Sequence, residues 1–442
     1  MFSIHWEVGQ GNNTKEADEQ NGNIAESVEG RTLTERNSQQ NAGDQPQSWD
    51  NATSQLLAVR RAAQKDKKRQ FTNLRHHVTV DLLRSSFLEL KRKAAPGIDG
   101  ITWKDYQANL ESLLESLHDR ILNGSYRPKP AKRVFIPKED GSERPLSIIC
   151  TEDKIVQQAT VTILNSIYEV DFMGFSYGFR PGRSQHAALD ALIVSLYKRK
   201  VNWVLDLDIS KFFDTVEHDW LIRFIEHRVR DRRIVRLIRQ WLKVGVVDEH
   251  GHRKAAKKGT PQGAVISPLL ANIYLHYAFD LWTHKWRIQT SRKEVIVVRY
   301  ADDAILGFQS KQDAEQYLND LKERLGMFGL AIHPDKTRLV QFGRFAIEQR
   351  QKAHQRKPET FDFLGFTHYC STTRNGNFCV KRKTAKRRLR KQIKAVGKEL
   401  MKRRHEPKLD IAQWLQSVVQ GHINYYGVPF NSQSLSILLL TK

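Results

Sequence analysis

The stretch Glu294 to Phe308, EVIVVRYADDAILGF, leaves little freedom in how it can fold. Two apolar runs alternating with period two flank Tyr300-Ala301-Asp302-Asp303, which predicts a β-hairpin with adjacent carboxylates at its tip. Neighbouring carboxylates repel one another and stay ionised only beside a cation, for which a divalent metal is the usual answer. Asp is also a common turn residue, so an isolated pair reads first as a solvated turn.

A second strand bears on that choice. In Asn202 to Ile209, NWVLDLDI, alternation puts Leu205, Leu207 and Ile209 on one face and Val204, Asp206 and Asp208 on the other. Carboxylates projecting from an apolar strand are expensive unless something answers them. The strand runs into Ser210-Lys211-Phe212-Phe213-Asp214, so its acidic end can face the hairpin tip and complete a three-carboxylate metal site.

Composition narrows the partner. The 442 residues carry a formal net charge of +23, which points to a large polyanion. Residues 1–50 hold nine acids against three bases, a net of −6, leaving +29 on the other 392. That first segment is polar and without period, and residues 1–51 are expected to be disordered. Cys150, Cys370 and Cys379 form no CxxC pair, so neither a disulfide framework nor a zinc module is expected. The longest apolar runs are too short to span a bilayer and no secretion signal opens the chain, so a cytoplasmic protein without membrane contact is expected.

Elsewhere the pattern predicts packing and loops. Thr102 is positioned to cap a helix with Tyr106, Leu110, Leu113, Leu114, Leu117 and Ile121 on one face, ended by Asn123-Gly124. KPAKRVFIPKEDGSERPLSIIC predicts two strands carrying Lys132, Arg133, Lys138 and Arg144, either a charged exposed edge or a clamp for a triphosphate. A helix over 153–170 is followed by a loop with Arg180 and Arg183, then by a helix capped at Ser184. Gly259, Pro261 and Gly263 form a tight loop around Gln262. TAKRRLRKQIKAVGKELMKRRH predicts an intensely basic helix, with Lys386, Arg387, Arg388, Arg390 and Lys391 as nucleic-acid contacts.

In order, GIDGIT, IPKEDGSERPL, SYGFRPGRS, LDLDISKFFDTVEH, GTPQGAVISPLLANIYL, YADD, HPDKT and FLGF resemble the successive blocks of the reverse transcriptases encoded by bacterial group II introns, over roughly Gln70 to Gly427. The resemblance implies an α+β right-hand polymerase, with fingers, a palm whose antiparallel sheet carries the carboxylates, and a helical thumb continuous with the maturase domain. Fingers and palm are expected over 52–367 and thumb and maturase over 368–442. The resemblance assigns Asp208, Asp302 and Asp303 as catalytic, with the Ile209 backbone joining them as a metal ligand. Asp206 is the alternative to Asp208. Two Mg²⁺ ions, with Mn²⁺ as a substitute, would activate the primer 3′-hydroxyl and neutralise the triphosphate. Lys138 and Arg144 would grip the triphosphate, Phe213 would abut the sugar 2′ position, Gln262 would lie against the nascent base pair and Lys336 would approach the pyrophosphate. Tyr300 would pack beside the primer end, and Arg180 and Arg183 would touch phosphate or template.

The implied partners are the intron RNA, a DNA primer and target, and dNTPs, within a cytoplasmic ribonucleoprotein; a monomer and a dimer both remain open. Two features depart from the family pattern. The ending FNSQSLSILLLTK replaces a further basic helical region, so a shortened maturase end is expected, and no Cys-pair and His-rich endonuclease module follows. The competing readings are an RNA-binding splicing cofactor without significant polymerase activity and a domesticated reverse transcriptase of phage defence or templated mutagenesis.

Overall fold

The computed structural model describes residues 47–137, 143–248, 251–291, 293–355 and 357–440. Lys138 lies outside them, as do the first 46 residues, which make up most of the segment expected to be disordered. The first described helix, Gln47–Lys65, begins ahead of Ala52.

Thr102 caps as expected, sharing a capping box with Asp105. The helix it opens stops at Ala108, and after a break at Asn109 a second one, Leu110–Asn123, continues to Gly124, whose φ of 78° closes it. Both pack with Val80–Leu88 around the long helix Thr151–Asp171, burying Leu83, Phe87, Leu114, Leu117 and Ile163 in the larger of two main cores. Each such side chain contributes roughly 1.5–3 kcal/mol by leaving water.

The strands run β1 (Ala131–Pro137), β2 (Glu143–Ile148), β3 (Trp203–Asp208), β4 (Val246–Val247), β5 (Arg253–Lys254), β6 (Val295–Tyr300), β7 (Asp303–Phe308), β8 (Arg338–Gln341), β9 (Phe361–Phe363), β10 (Phe366–Thr372) and β11 (Phe378–Thr384). Three sheets result, ordered β2-β1-β4-β5, β6-β7-β3-β8 and β11-β10-β9. The first is the expected cationic hairpin, extended by β4 running parallel to β1.

The second sheet is antiparallel throughout and separates the two cores. Leu205 and Leu207 of β3 join Val297, Leu306 and Phe308 on the side of the larger core. Val204 joins Ile296, Val298, Ile305 and Val340 on the other side, under Ala188 and Leu192 of the helix Gln185–Lys198. The alternation read from β3 thus describes a wall buried on both sides, with acids on one of them.

The third sheet is antiparallel, β10 pairing with β9 on one side and β11 on the other. β10 runs through 367–368, the expected boundary between palm and thumb. Beyond it the helices Lys386–Arg403, Lys408–Tyr426 and Ser432–Leu440 are thinly covered. They are tied to the sheet by Tyr425, whose hydroxyl donates to the Leu364 carbonyl at 2.8 Å, and by Asn431, whose carboxamide oxygen accepts from the Thr384 amide at 2.8 Å. Among the described residues no helix is long and apolar enough to cross a membrane.

Candidate active site at the end of the palm sheet

The register of β3 and β7 sets Asp208 directly opposite Asp303, and that of β6 and β7 sets Tyr300 opposite Asp303. Directly opposed residues share a face, so Asp206, Asp208 and Asp303 rise from the same side of the sheet. Ala301 and Asp302 make the turn, shorter than the four-residue link expected, because Tyr300 and Asp303 already pair.

The Asp208 backbone is fixed from beyond the hairpin. The His333 amide donates to its carbonyl at 2.8 Å, its own amide donates to Thr337 Oγ1 at 3.2 Å, and the Ser210 amide donates to Ala331 at 2.8 Å. Ile209 is bridged to Ile332 within this ladder, which takes up the carbonyl of Asp208 and leaves that of Ile209, the expected backbone ligand, outside it.

Like charges directly opposed in a sheet are destabilising, and the electrostatics register it. Desolvation, then repulsion from Asp302, Asp208 and Asp206, push the Asp303 carboxyl up to about 7, with Lys336 opposing. Water reaches this side chain at the cleft surface, which weakens the first cause and leaves the three neighbouring charges as what a cation would relieve. Lys336 Nζ stands 3.3 Å from Asp208 Oδ2, so the lysine expected at the pyrophosphate rests here against a carboxylate. Asp206 is raised to about 6 by burial, and Arg338 opposes that rise from 3.5 Å. Of the two β3 acids, Asp208 is therefore the one paired across the ladder with Asp303, while Asp206 is held by an arginine.

Sequence reasoning missed what holds the turn. Arg299, on the core face of β6, is buried and its guanidinium makes a bidentate pair with the buried Asp280, at 2.7 and 2.6 Å. Its remaining N–H groups donate to Asn272 Oδ1 at 3.2 Å, Ser176 Oγ at 2.7 Å and the Ala301 carbonyl at 2.9 Å. Ala301 adopts a φ of 57°, a left-handed conformation rare for a residue with a side chain. Gly178 lies so close that a Cβ there would stand 2.3 Å from the Ala301 nitrogen, and Asn272 Nδ2 donates to the Gly178 carbonyl at 2.7 Å. Asp280 ends a π-helical turn, His276–Asp280. The usable signal was the alternation itself, which places Arg299 among inward-facing valines where an unpaired cation cannot stay.

A second cleft, of about 220 Å³, brings Phe213 and Gln262 together with Asp214 and Arg133. Its loop is clamped on both sides. The Ser147 amide donates to the Gln262 carbonyl at 2.7 Å, and the Thr260 amide to Phe213 at 2.8 Å. Gln262 Nε2 reaches Asp214 at 3.4 Å. A Cβ on Gly263 would meet the Ser147 carbonyl at 2.6 Å, which accounts for glycine there. The Phe213 ring is half-buried, edge-on to Phe212 at 5.4 Å.

The remaining expected residues divide. Arg144 pairs with Ile136 in the β1–β2 ladder, and Lys138 lies outside the described residues. Arg180 is buried: its guanidinium is paired with Glu169 at 3.0 Å and donates to the Met173 and Ser176 carbonyls at 2.8 and 2.7 Å. Arg183 is half-buried, donating to the Gly174 carbonyl and lying 5.0 Å over the Tyr177 ring. Tyr300 packs 6.2 Å from Phe179, and partial burial raises its hydroxyl pKa. Lys386, Arg387, Arg388, Arg390 and Lys391 line the exposed part of their helix, around the buried Leu389.

The model of the reverse transcriptase (RNA-dependent DNA polymerase) family matches residues 136–368, a stretch holding Asp206, Asp208, Asp302 and Asp303. The chain belongs to the reverse transcriptase family. It is 36% identical to Protein YkfC of Escherichia coli (strain K12) over 57% of this chain and 74% of that protein. It is 34% identical to the Group II intron-encoded protein LtrA of Lactococcus lactis subsp. cremoris over 50% of this chain and 37% of LtrA. With the 91 kDa protein in the cob intron of Schizosaccharomyces pombe it shares 38% identity over 38% of this chain and 20% of that protein. The match thus spans three quarters of the first relative but well under half of the other two. Two of these relatives are named as intron proteins, and the right-hand α+β fold follows from the family.

Reverse transcriptases work with divalent metal ions, and the residues present suit one. Oxygen-only donors, with the Asp303 carboxyl raised in proton affinity by its acidic neighbours, are the ligand type hard divalent cations take. Among the described residues no group of three or more His, Cys, Asp or Glu side chains is arranged to hold a metal ion; the acids lie along a ladder end and the adjoining turn.

Proposed function

We propose that the chain extends a DNA primer on the RNA of its group II intron and binds that RNA to assist splicing and retrohoming. The observation that carries this reading is the cross-strand pairing of Asp208 with Asp303 at the end of the palm sheet, one residue from Asp302. Asp208 and Asp302 would hold two Mg²⁺ ions, or Mn²⁺ in their place, with the Ile209 carbonyl and Asp303 supporting them. Bound there, the ions would lower the pKa of the 3′-hydroxyl and neutralise charge on the triphosphate.

The protein's own groups supply position. Phe213 closes the space a 2′-hydroxyl would need, and Gln262 borders the same cleft, where a nascent base pair would lie. Lys138 and Arg144 would contact the triphosphate. Lys336, held beside Asp208 in the free protein, is close enough to exchange that carboxylate for phosphate. Tyr300 would border the primer end. Arg183 and the exposed cations of Lys386–Arg403 would follow the nucleic-acid backbone, which fixes register without reading sequence.

Primer extension on a poly-A RNA template with dTTP and Mg²⁺ tests the reading. Extension by the unaltered chain and none by Asp302→Ala combined with Asp303→Ala is expected. No extension by a folded chain that still binds RNA would sink the polymerase reading in favour of a splicing cofactor.

A further inference from the structure

The helix Arg232–Lys243 buries Ile234, Val235, Leu237, Ile238, Trp241 and Leu242 and turns its arginines outward. Arg232, Arg236 and Arg239 recur at spacings of four and three residues, on one face of the helix. Beside them Arg230 leaves the extended segment that bridges Phe71 to Val229. The four arginines line one groove of about 540 Å³, which shares no residue with the cleft of Phe213 and Gln262. Glu226 pairs with Arg239 at 3.2 Å; among the described residues Arg230, Arg232 and Arg236 have no ion-pair partner.

Like charges one helical turn apart cost stability. A groove that gathers three unanswered cations therefore gains from an anion, and the planar fork of arginine suits phosphate. Apart from Val229 and Val235 the lining is polar or charged, with no aromatic ring on which a base could stack. That favours a ligand held by its backbone.

We propose that this groove binds the phosphate backbone of RNA outside the stretch being copied, as a second contact independent of the polymerase cleft. It rests on the reading above only in that the chain handles RNA. The spacing at 1.5 Å per residue sets the helical arginines about 4.5–6 Å apart along the axis, so a phosphate can be shared by two of them.

The test compares the full chain with Arg230→Gln/Arg232→Gln/Arg236→Gln and with the matching triple lysine variant. Affinity for a long folded RNA is measured across a salt series, alongside extension of a short primer–template. The glutamine variant is expected to bind long RNA about 10- to 100-fold more weakly, with the slope of log K against log salt reduced by about 2–3. Its short-template extension should match the unaltered chain, which also certifies folding, and the lysine variant should restore most of the slope. An unchanged slope and affinity would overturn the proposal, as would equal weakening on the short duplex, which would merge the groove with the polymerase track. If no variant extends a primer but the slopes still differ, the polymerase reading fails and the groove stands.

Discussion

Arg299 is a residue whose importance is electrostatic rather than chemical. Its pair with Asp280 is 1% and 0% exposed, so removing one partner leaves an uncompensated charge in the core. Arg299→Met is expected to destabilise the protein by about 3–5 kcal/mol in urea unfolding. Adding Asp280→Leu removes the stranded carboxylate and should recover most of that loss. Primer extension should not return with it, because the Ala301 carbonyl still lacks the donor that fixes the turn beside Asp302. Recovery of both together would mean that the pair serves stability alone.

At the level of elements, the β3 alternation, the hairpin at Asp302 and the caps at Thr102 and Ser184 were legible because each depends on local spacing. The support of the turn was not, since Arg299 meets Asn272, Asp280 and Ser176 across separations that no local period encodes. Arg180 shows the converse: a loop arginine beside glycine and proline reads as solvent-exposed until the fold delivers Glu169 to it. Two elements also carry buried histidines whose proton affinity is depressed. Desolvation, with Arg299, Arg180 and Arg228, lowers His276 to about 3, and desolvation with Arg382 does the same to His368 on β10. The unfolded chain takes up these protons near pH 6.5 while the native state does not. Stability is therefore complete above that pH and falls as pH drops toward about 3, by up to about 1.4 kcal/mol per pH unit for each histidine. Urea midpoints measured at about pH 7.5 and about pH 5 should show the decline. It should shrink in His368→Phe, whose ring can keep the stack on Phe361 at 4.9 Å.

At the scale of the whole molecule, the excess of 72 basic over 49 acidic residues makes association with RNA chiefly a matter of counterion release. If six to ten phosphates are neutralised, affinity should fall by about 10³–10⁵ between about 50 and 200 mM salt, measured by filter binding. A slope close to zero would mean that the charge does not meet the polyanion. The palm adds a constraint of a different kind. β3 has β7 on one side and β8 on the other, and the backbone bonds that fix Asp208 come from 331–337. At about 5–20 residues per second, the ribosome needs seconds to tens of seconds to pass from β3 to the end of β8. Until β7 has been made the nascent chain holds Asp208 on a strand without neighbours, and until β8 has been made on one flanked on a single side, so the carboxylates can first assemble only late in translation, whatever the intrinsic speed of folding.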